Sequence, residues 1–179
     1  DAAAVLRAMN RLCAEVLGRE PLNTAELLYL GMRIGADVPF CIQNGTRRCG
    51  GIGEMMVPLA PLEACTLLIA KPSLRVSTPE AYTLVDRVPD DGVRYTERMV
   101  RALERRDLQA VARCMGNRFD DAMQHQQVQA LKLAMCRGGA LNALMTGSGS
   151  AVFGVFENME DARSVLHALE PSCEEVFLA

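Results

Sequence analysis

Gly35-Ala36-Asp37-Val38-Pro39-Phe40 is the stretch on which the reading of this chain turns. The apolar spacing before it (Leu27, Leu28, Gly31, Ile34) predicts a helix that stops at Gly35, a residue that accepts the left-handed conformation without Cβ strain. Pro39 opposes helical continuation and biases Val38 toward extended backbone, so 38–42 is expected as a strand. Asp37 then sits between two elements, where backbone geometry directs its carboxylate. The residue type alone favours a plainer role, an aspartate that caps a turn.

Upstream, Ala2–Leu17 predicts a helix with an N-cap-type Asp1, and Val5, Leu6, Met9, Leu12, Cys13, Val16 and Leu17 share an apolar face that expects a sheet beneath it. Gly18 closes it, Pro21 breaks the connection, and Asn23 with Glu26 forms the capping-box start of the helix that runs to Gly35. A helix beginning at residue one without a Met, and a terminal strand without a polar tail, read as cut ends. Downstream, Asn44-Gly45 predicts a hairpin turn between 40–43 and 46–49. Gly50-Gly51-Ile52-Gly53-Glu54 is expected as a bulged connection to a strand at 55–59, and it has glycines enough for a close backbone or ligand approach.

Pro58, Pro61 and the small residues of 60–64 place a domain boundary between residues 62 and 63. The second part, 63–179, opens with a strand at 66–70 and an extended 74–77. A helix follows with Pro79 in its first turn. Helices are expected over 93–105, 107–115 and 126–137, with Asp107 as an N-cap and the charges around Arg98 and Arg101 as a solvated face. Strands at 143–145 and 151–156, a helix from Asn158 to Leu169 and a last strand at 174–179 complete an α+β arrangement of helices against a small antiparallel sheet.

Composition excludes several classes. The chain has 179 residues, half of them hydrophobic, and a formal net charge of −3 without a Lys/Arg run, which argues against nucleic-acid or membrane-surface partners. No apolar stretch is long enough to span a bilayer as a helix. The seven cysteines form no C-x-x-C pair and sit mostly among core-type neighbours, so reduced, buried thiols in a cytoplasmic protein are expected rather than disulfides or a metal site. Two histidines, His125 and His167, leave little for a catalytic triad. Nothing in the sequence specifies an oligomeric state.

Thr146-Gly147-Ser148-Gly149-Ser150 is the second candidate for chemistry. Its glycines let successive N–H groups converge on an anion and its hydroxyls add donors, although a plain turn between strands explains the same letters. A Walker A sequence and the protein-kinase motif set are both missing from these residues.

Taken in order, GADVPF (35–40), GGIGE (50–54), AKPSLRVSTPEAY (70–82), GNRFDD (116–121) and LMTGSGSAVFGVF (144–156) resemble the GHMP small-molecule kinase superfamily. The resemblance implies a remnant of a ribosomal-S5-like α/β domain over 1–62 and a ferredoxin-like α+β domain over 63–179. It implies transfer of the γ-phosphate of ATP, with Mg²⁺, to a hydroxyl of a small-molecule substrate. Asp37 matches the catalytic aspartate, which orients and activates the acceptor hydroxyl. Gly147, Ser148 and Gly149 match the motif beside the phosphates, and Thr78, Gly51 and Gly53 fall on stretches that line the substrate side. The family's phosphate loop and catalytic lysine lie upstream of the position matched by Asp1, so residues 1–179 alone are expected not to transfer phosphate. Homoserine- and mevalonate-type members share the glycine motif but are not expected to share GADVPF with AKPSLRVSTPEAY. A non-catalytic relative that only binds is opposed by Asp37, and a plain α+β interaction domain with structural glycine turns gains support only if nucleotide and polyol phosphate both fail to bind the intact protein.

Overall fold

The computed structural model describes residues 1–89 and 95–179, and their contacts divide the chain into two compact units, Asp1–Pro61 and Leu62–Ala179. The first unit begins with α1 (Ala2–Leu17), which ends at a left-handed Gly18, and α2 (Thr24–Ile34), whose start is the expected capping box between Asn23 and Glu26. Asp1 stands at the N-cap of α1 without a side-chain cap bond. Next come α3 (Val38–Gln43), β1 (Arg47–Gly50) and β2 (Met55–Pro58), the two strands forming an antiparallel hairpin.

The expected strand at 38–42 is therefore a helix. Pro39 occupies its first turn, where a missing N–H costs nothing, and this outweighs the extended bias on Val38. Helical spacing also stacks Val38 over Ile42 and seats both on Gly31 of α2, a grip that an extended strand could not make. A Cβ on Gly31 would lie 2.8 Å from Ile42 Cδ1 and 3.1 Å from Val38 Cγ1. Asn44 and Gly45 do adopt positive φ, 58° and 77°, but they end α3 instead of turning a hairpin. The α3 carbonyls of Cys41 and Ile42 accept from Arg7 of α1 at 3.0 and 3.2 Å. The hairpin turn falls at Gly51 to Glu54, closed by Gly53 N–H on the Gly50 carbonyl at 3.0 Å. Gly35 ends α2 in extended backbone, φ 179°, so left-handed freedom is not what stops that helix.

On α1 only part of the apolar face is covered. Ala3 is buried with Leu27 and Ile42, and Leu6 packs against them, while Val5, Met9, Leu12, Val16 and Leu17 are exposed.

The second unit runs β3 (Thr66–Lys71), α4 (Thr78–Val85), α5 (Tyr95–Glu104), α6 (Leu108–Arg113), α7 (Arg118–Met123), α8 (Gln126–Arg137), β4 (Asn142–Met145), β5 (Val152–Phe156), α9 (Met159–Leu169), a 3₁₀ turn and β6 (Glu175–Leu178). Asp107 and Asn158 cap α6 and α9 as expected. Residues 93 and 94 of the expected 93–105 helix lie outside the described residues, and α7 was not anticipated as a helix.

The four strands form one antiparallel sheet in the order β4-β5-β3-β6. With β3 counted as the first strand, this is the 2-3-1-4 order of a split β-α-β fold, the ferredoxin-like arrangement. Alternation sends Leu68, Ala70, Ala143, Met145, Val152 and Phe156 to the face covered by α8 and α9. There they meet Val128, Leu131, Met135, Ala162, Val165 and Leu169 in one core. Each large side chain buried in this way contributes about 1.5–3 kcal/mol.

The cysteine expectation fails in one respect. All seven thiols are free, but none is buried, and Cys41, Cys49 and Cys136 are exposed. Apolar residues flank Cys41 on both sides, but Cys49 and Cys136 each adjoin an arginine, and short strands and helix ends present these thiols outward. Cys65, half-buried, is the one whose thiol burial pushes above its ordinary range.

Two outcomes follow from this packing. Gly31→Val should destabilise the first unit by about 1–3 kcal/mol in chemical denaturation by forcing α3 off α2; an unchanged midpoint would show that the approach is not needed. Alkylation with iodoacetamide at pH 8 should label Cys41, Cys49 and Cys136 well before Cys65, as peptide mass mapping over time would read.

Candidate functional site

Asp37, Gly51 and Gly53 lie in Asp1–Pro61, whereas Thr78, Gly147, Ser148 and Gly149 lie in Leu62–Ala179. Asp37 is the N-cap residue of α3, with φ −84° and ψ −14°, and its carbonyl accepts from Cys41 N–H at 3.2 Å. Its side chain makes no cap bond and is exposed. A capping aspartate would fold its carboxylate onto the first N–H groups of its helix, and this one does not. The helix it starts is clamped on Gly31, so packing sets where the Asp37 backbone stands.

The glycine turn approaches the same point. Gly53, φ +118°, brings its Cα against the backbone of Ala36, whose carbonyl oxygen would lie 3.3 Å from an added Cβ. Gly51, φ +67°, leaves room for the Glu54 carboxylate, which accepts from Ile52 N–H at 2.7 Å. This turn thus folds on its own acid and presents Ile52 to solvent.

In the second unit the 146–150 loop joins β4 to β5 and is tied down on both flanks. The hydroxyls of Thr78, at the start of α4, and Ser148 share a hydrogen bond of 3.1 Å. Ser150, buried, donates from Oγ to the Leu74 carbonyl at 2.5 Å. The 72–75 segment is in turn held by Lys71, whose Nζ donates to the carbonyls of Pro72 and Leu74 at 2.8 and 3.2 Å. The loop's internal backbone bonds run from Gly149 N–H to the Thr146 carbonyl, 3.0 Å, and from Thr146 N–H to the Ala151 carbonyl, 2.9 Å. The amides of Gly147 and Ser148 take no part in either, and a Cβ on Gly147 would meet nothing within 4 Å. Two idle N–H groups and two hydroxyls at an open glycine are suited to phosphate oxygens. Among the described residues no group of three or more His, Cys, Asp or Glu is placed to hold a metal ion.

Sequence reasoning gave no role to Asn117 and Asp120, although it singled out the segment that contains them. Asn117 bonds to two carbonyls of the loop region, and Asp120, 1% exposed, bonds to Lys132, Gln129 and the Met145 amide. The available signal was the Asn-x-x-Asp spacing, which reads as an ordinary helix start and carries no hint of the long-range partners.

Comparison with known proteins bears on the fold that carries these residues. Residues 99–174 match the family profile described as GHMP kinases C terminal. The chain is 37% identical over 180 residues to a Staphylococcus aureus (strain MRSA252) protein that bears the provisional name 4-diphosphocytidyl-2-C-methyl-D-erythritol kinase; the match covers 99% of this chain and 62% of that protein. A crystal structure of 4-(cytidine 5'-diphospho)-2C-methyl-D-erythritol kinase superposes with a TM-score of 0.75 at 30% identity, over 99% of this chain and 62% of that one. A homoserine kinase from Cytophaga hutchinsonii shares the fold, with a TM-score of 0.77 at 18% identity and the same coverage. The chain thus spans about three-fifths of the length of the relatives it matches.

The two loop glycines should respond differently to substitution. Gly149, φ +92°, has Met145 Sδ 2.5 Å from an added Cβ, so Gly149→Val should cost about 2 kcal/mol or more. Gly147→Asn, in open space at φ +55°, should cost less than about 1 kcal/mol. Paired urea titrations decide, and equal losses would refute the distinction.

Proposed function

We propose that this chain, which carries the C-terminal domain of the GHMP kinases, serves an ATP-dependent phosphotransferase whose acceptor is the 2-hydroxyl of 4-diphosphocytidyl-2-C-methyl-D-erythritol. The observation that carries the reading is the Asp37 carboxylate, exposed, free of any capping bond and borne at the start of a helix clamped on Gly31. In that role Asp37, in the first unit, accepts the proton of the acceptor hydroxyl; in the second unit the Gly147 and Ser148 amides and the Thr78 and Ser148 hydroxyls bind phosphate oxygens. Gly51 and Gly53 shape the backbone beside Ala36, on the acceptor side.

The loop's donors fit a nucleotide's phosphates. Mg²⁺, when bound with ATP, supplies neutralisation of phosphate charge, and it would be held chiefly by the phosphates themselves. The choice of acceptor is supported by the Staphylococcus aureus relative at 37% identity; the likeness to homoserine and mevalonate kinases, at 18% and 17%, speaks for the fold. Because the chain covers 62% of that relative, the activity is assigned to the full-length protein, and residues 1–179 alone are expected to be inactive.

The test is ATP turnover by the full-length protein with the cytidylated erythritol, homoserine and mevalonate offered separately. Turnover with the first alone supports the proposal, turnover with another reassigns the acceptor, and binding without turnover makes the protein a non-catalytic relative. Asp37→Asn should lower kcat by at least about a hundredfold with little change in Tm. Near-parental turnover would remove Asp37 from the reaction, and a collapse in Tm would make it structural.

A further inference from the structure

We infer that Asn117 is the positioning residue of the 146–150 loop: its side-chain amide turns the Ser148 N–H outward, toward whatever anion the loop meets. The inference rests on the reading that this loop contacts phosphate.

Asn117 Nδ2 donates to the carbonyls of both Met145 and Gly147, each at 2.8 Å, so the two hydrogens of one amide bracket Thr146. Its Oδ1 accepts from Phe119 N–H at 3.0 Å, which fixes the side chain to the start of α7. In a trans peptide the C=O and the following N–H point in opposite directions. Holding the Met145 carbonyl therefore aims Thr146 N–H the other way, and it is indeed found on the Ala151 carbonyl at 2.9 Å. The same rule applied to the Gly147 carbonyl turns Ser148 N–H away from Asn117.

Two other bonds hold the neighbourhood, Gly149 N–H on the Thr146 carbonyl and the Ser148 hydroxyl on Thr78, but neither engages the Gly147 carbonyl or the Ser148 N–H themselves. Gly147 has no side chain, sits at φ +55° and has nothing within 4 Å of where a Cβ would be, so packing does not fix it. The base from which Asn117 reaches is rigid. One helical turn on, Asp120 is buried and bonded to Lys132 Nζ at 2.5 Å, Gln129 Nε2 at 2.8 Å and Met145 N–H at 3.4 Å. Thus α7 grips Met145 by its N–H and by its C=O through two different side chains, and Asn117 extends that grip one peptide further.

Asn117→Asp in the full-length protein isolates this role, because the carboxylate still caps α7 through Phe119 N–H but faces two carbonyls it cannot donate to. Asn117→Ser keeps a capping oxygen without adding charge, and its shorter side chain with a single O–H cannot bridge both carbonyls, so it serves if the aspartate variant folds poorly. For either variant the expected result is exchange of the Gly147 and Ser148 amides faster by about tenfold, with α7 amides unchanged. The KM for ATP should rise by about tenfold, the scale of one hydrogen bond to a charged group, with Tm nearly constant. Unchanged loop exchange, or unchanged KM in a folded variant, overturns the inference. Gly147→Asn separates the two claims. If it impairs ATP use while Asn117→Asp does not, the loop reading stands and the positioning role falls; if neither impairs it, both fall.

Discussion

A carboxylate that is 1% exposed must be surrounded by partners, and the second unit is built around meeting that demand for Asp120. Lys132 and Gln129 come from α8 and the Met145 amide from the end of β4, so one side chain of α7 joins two helices and a strand. The arrangement is unforgiving. Removing one member leaves another polar group stranded in a nearly dry place, a loss of about 3–5 kcal/mol in comparable buried pairs. Its position matters more than its strength, because Met145 is the last residue of β4 and the glycine loop begins immediately after it. A loop made of glycine and serine has almost no packing of its own, so its shape has to be borrowed from a neighbour that cannot move.

The first unit solves a similar problem with the opposite material. Here the functional candidate is an exposed acid, and what holds it is the absence of a side chain: Gly31 lets α3 settle onto α2, and Pro39 fits the first turn of the short helix that Asp37 begins. An acid that spent its oxygens on capping would be oriented but chemically occupied. Placing the backbone through Gly31 and Pro39 leaves the carboxylate of Asp37 available.

Much of this is legible in the amino-acid sequence. Local rules with one dominant cause held: the Asn23/Glu26 capping box, the Asp107 and Asn158 caps, Pro79 in the first turn of α4, and the alternating strands of the second unit all stand where the sequence predicts. The errors arose where two rules competed. Val38-Pro39 could open a strand or a helix, and the choice fell to a contact with Gly31 seven residues earlier that no local window contains. Asn44-Gly45 took the positive φ values expected of it, but as the end of a helix. The roles of Asn117 and Asp120 were invisible for a related reason. Their partners lie nine to thirty residues away, and the spacing that brings them together is a property of the sheet and α8 rather than of the segment itself.

The strand order of the second unit also bears on how that unit comes into being. Its first strand, β3, is internal, with β5 on one side and β6 on the other, and Leu68 pairs with Gly154 and with Leu178. Chain synthesis therefore delivers the centre of the sheet first and both of its neighbours last. Such high contact order makes closure slow, and throughout translation of the intervening helices β3 is an apolar strand with two open edges. The interval between residues 71 and 152 is thus the period in which this protein is most open to capture by chaperones or by other nascent chains.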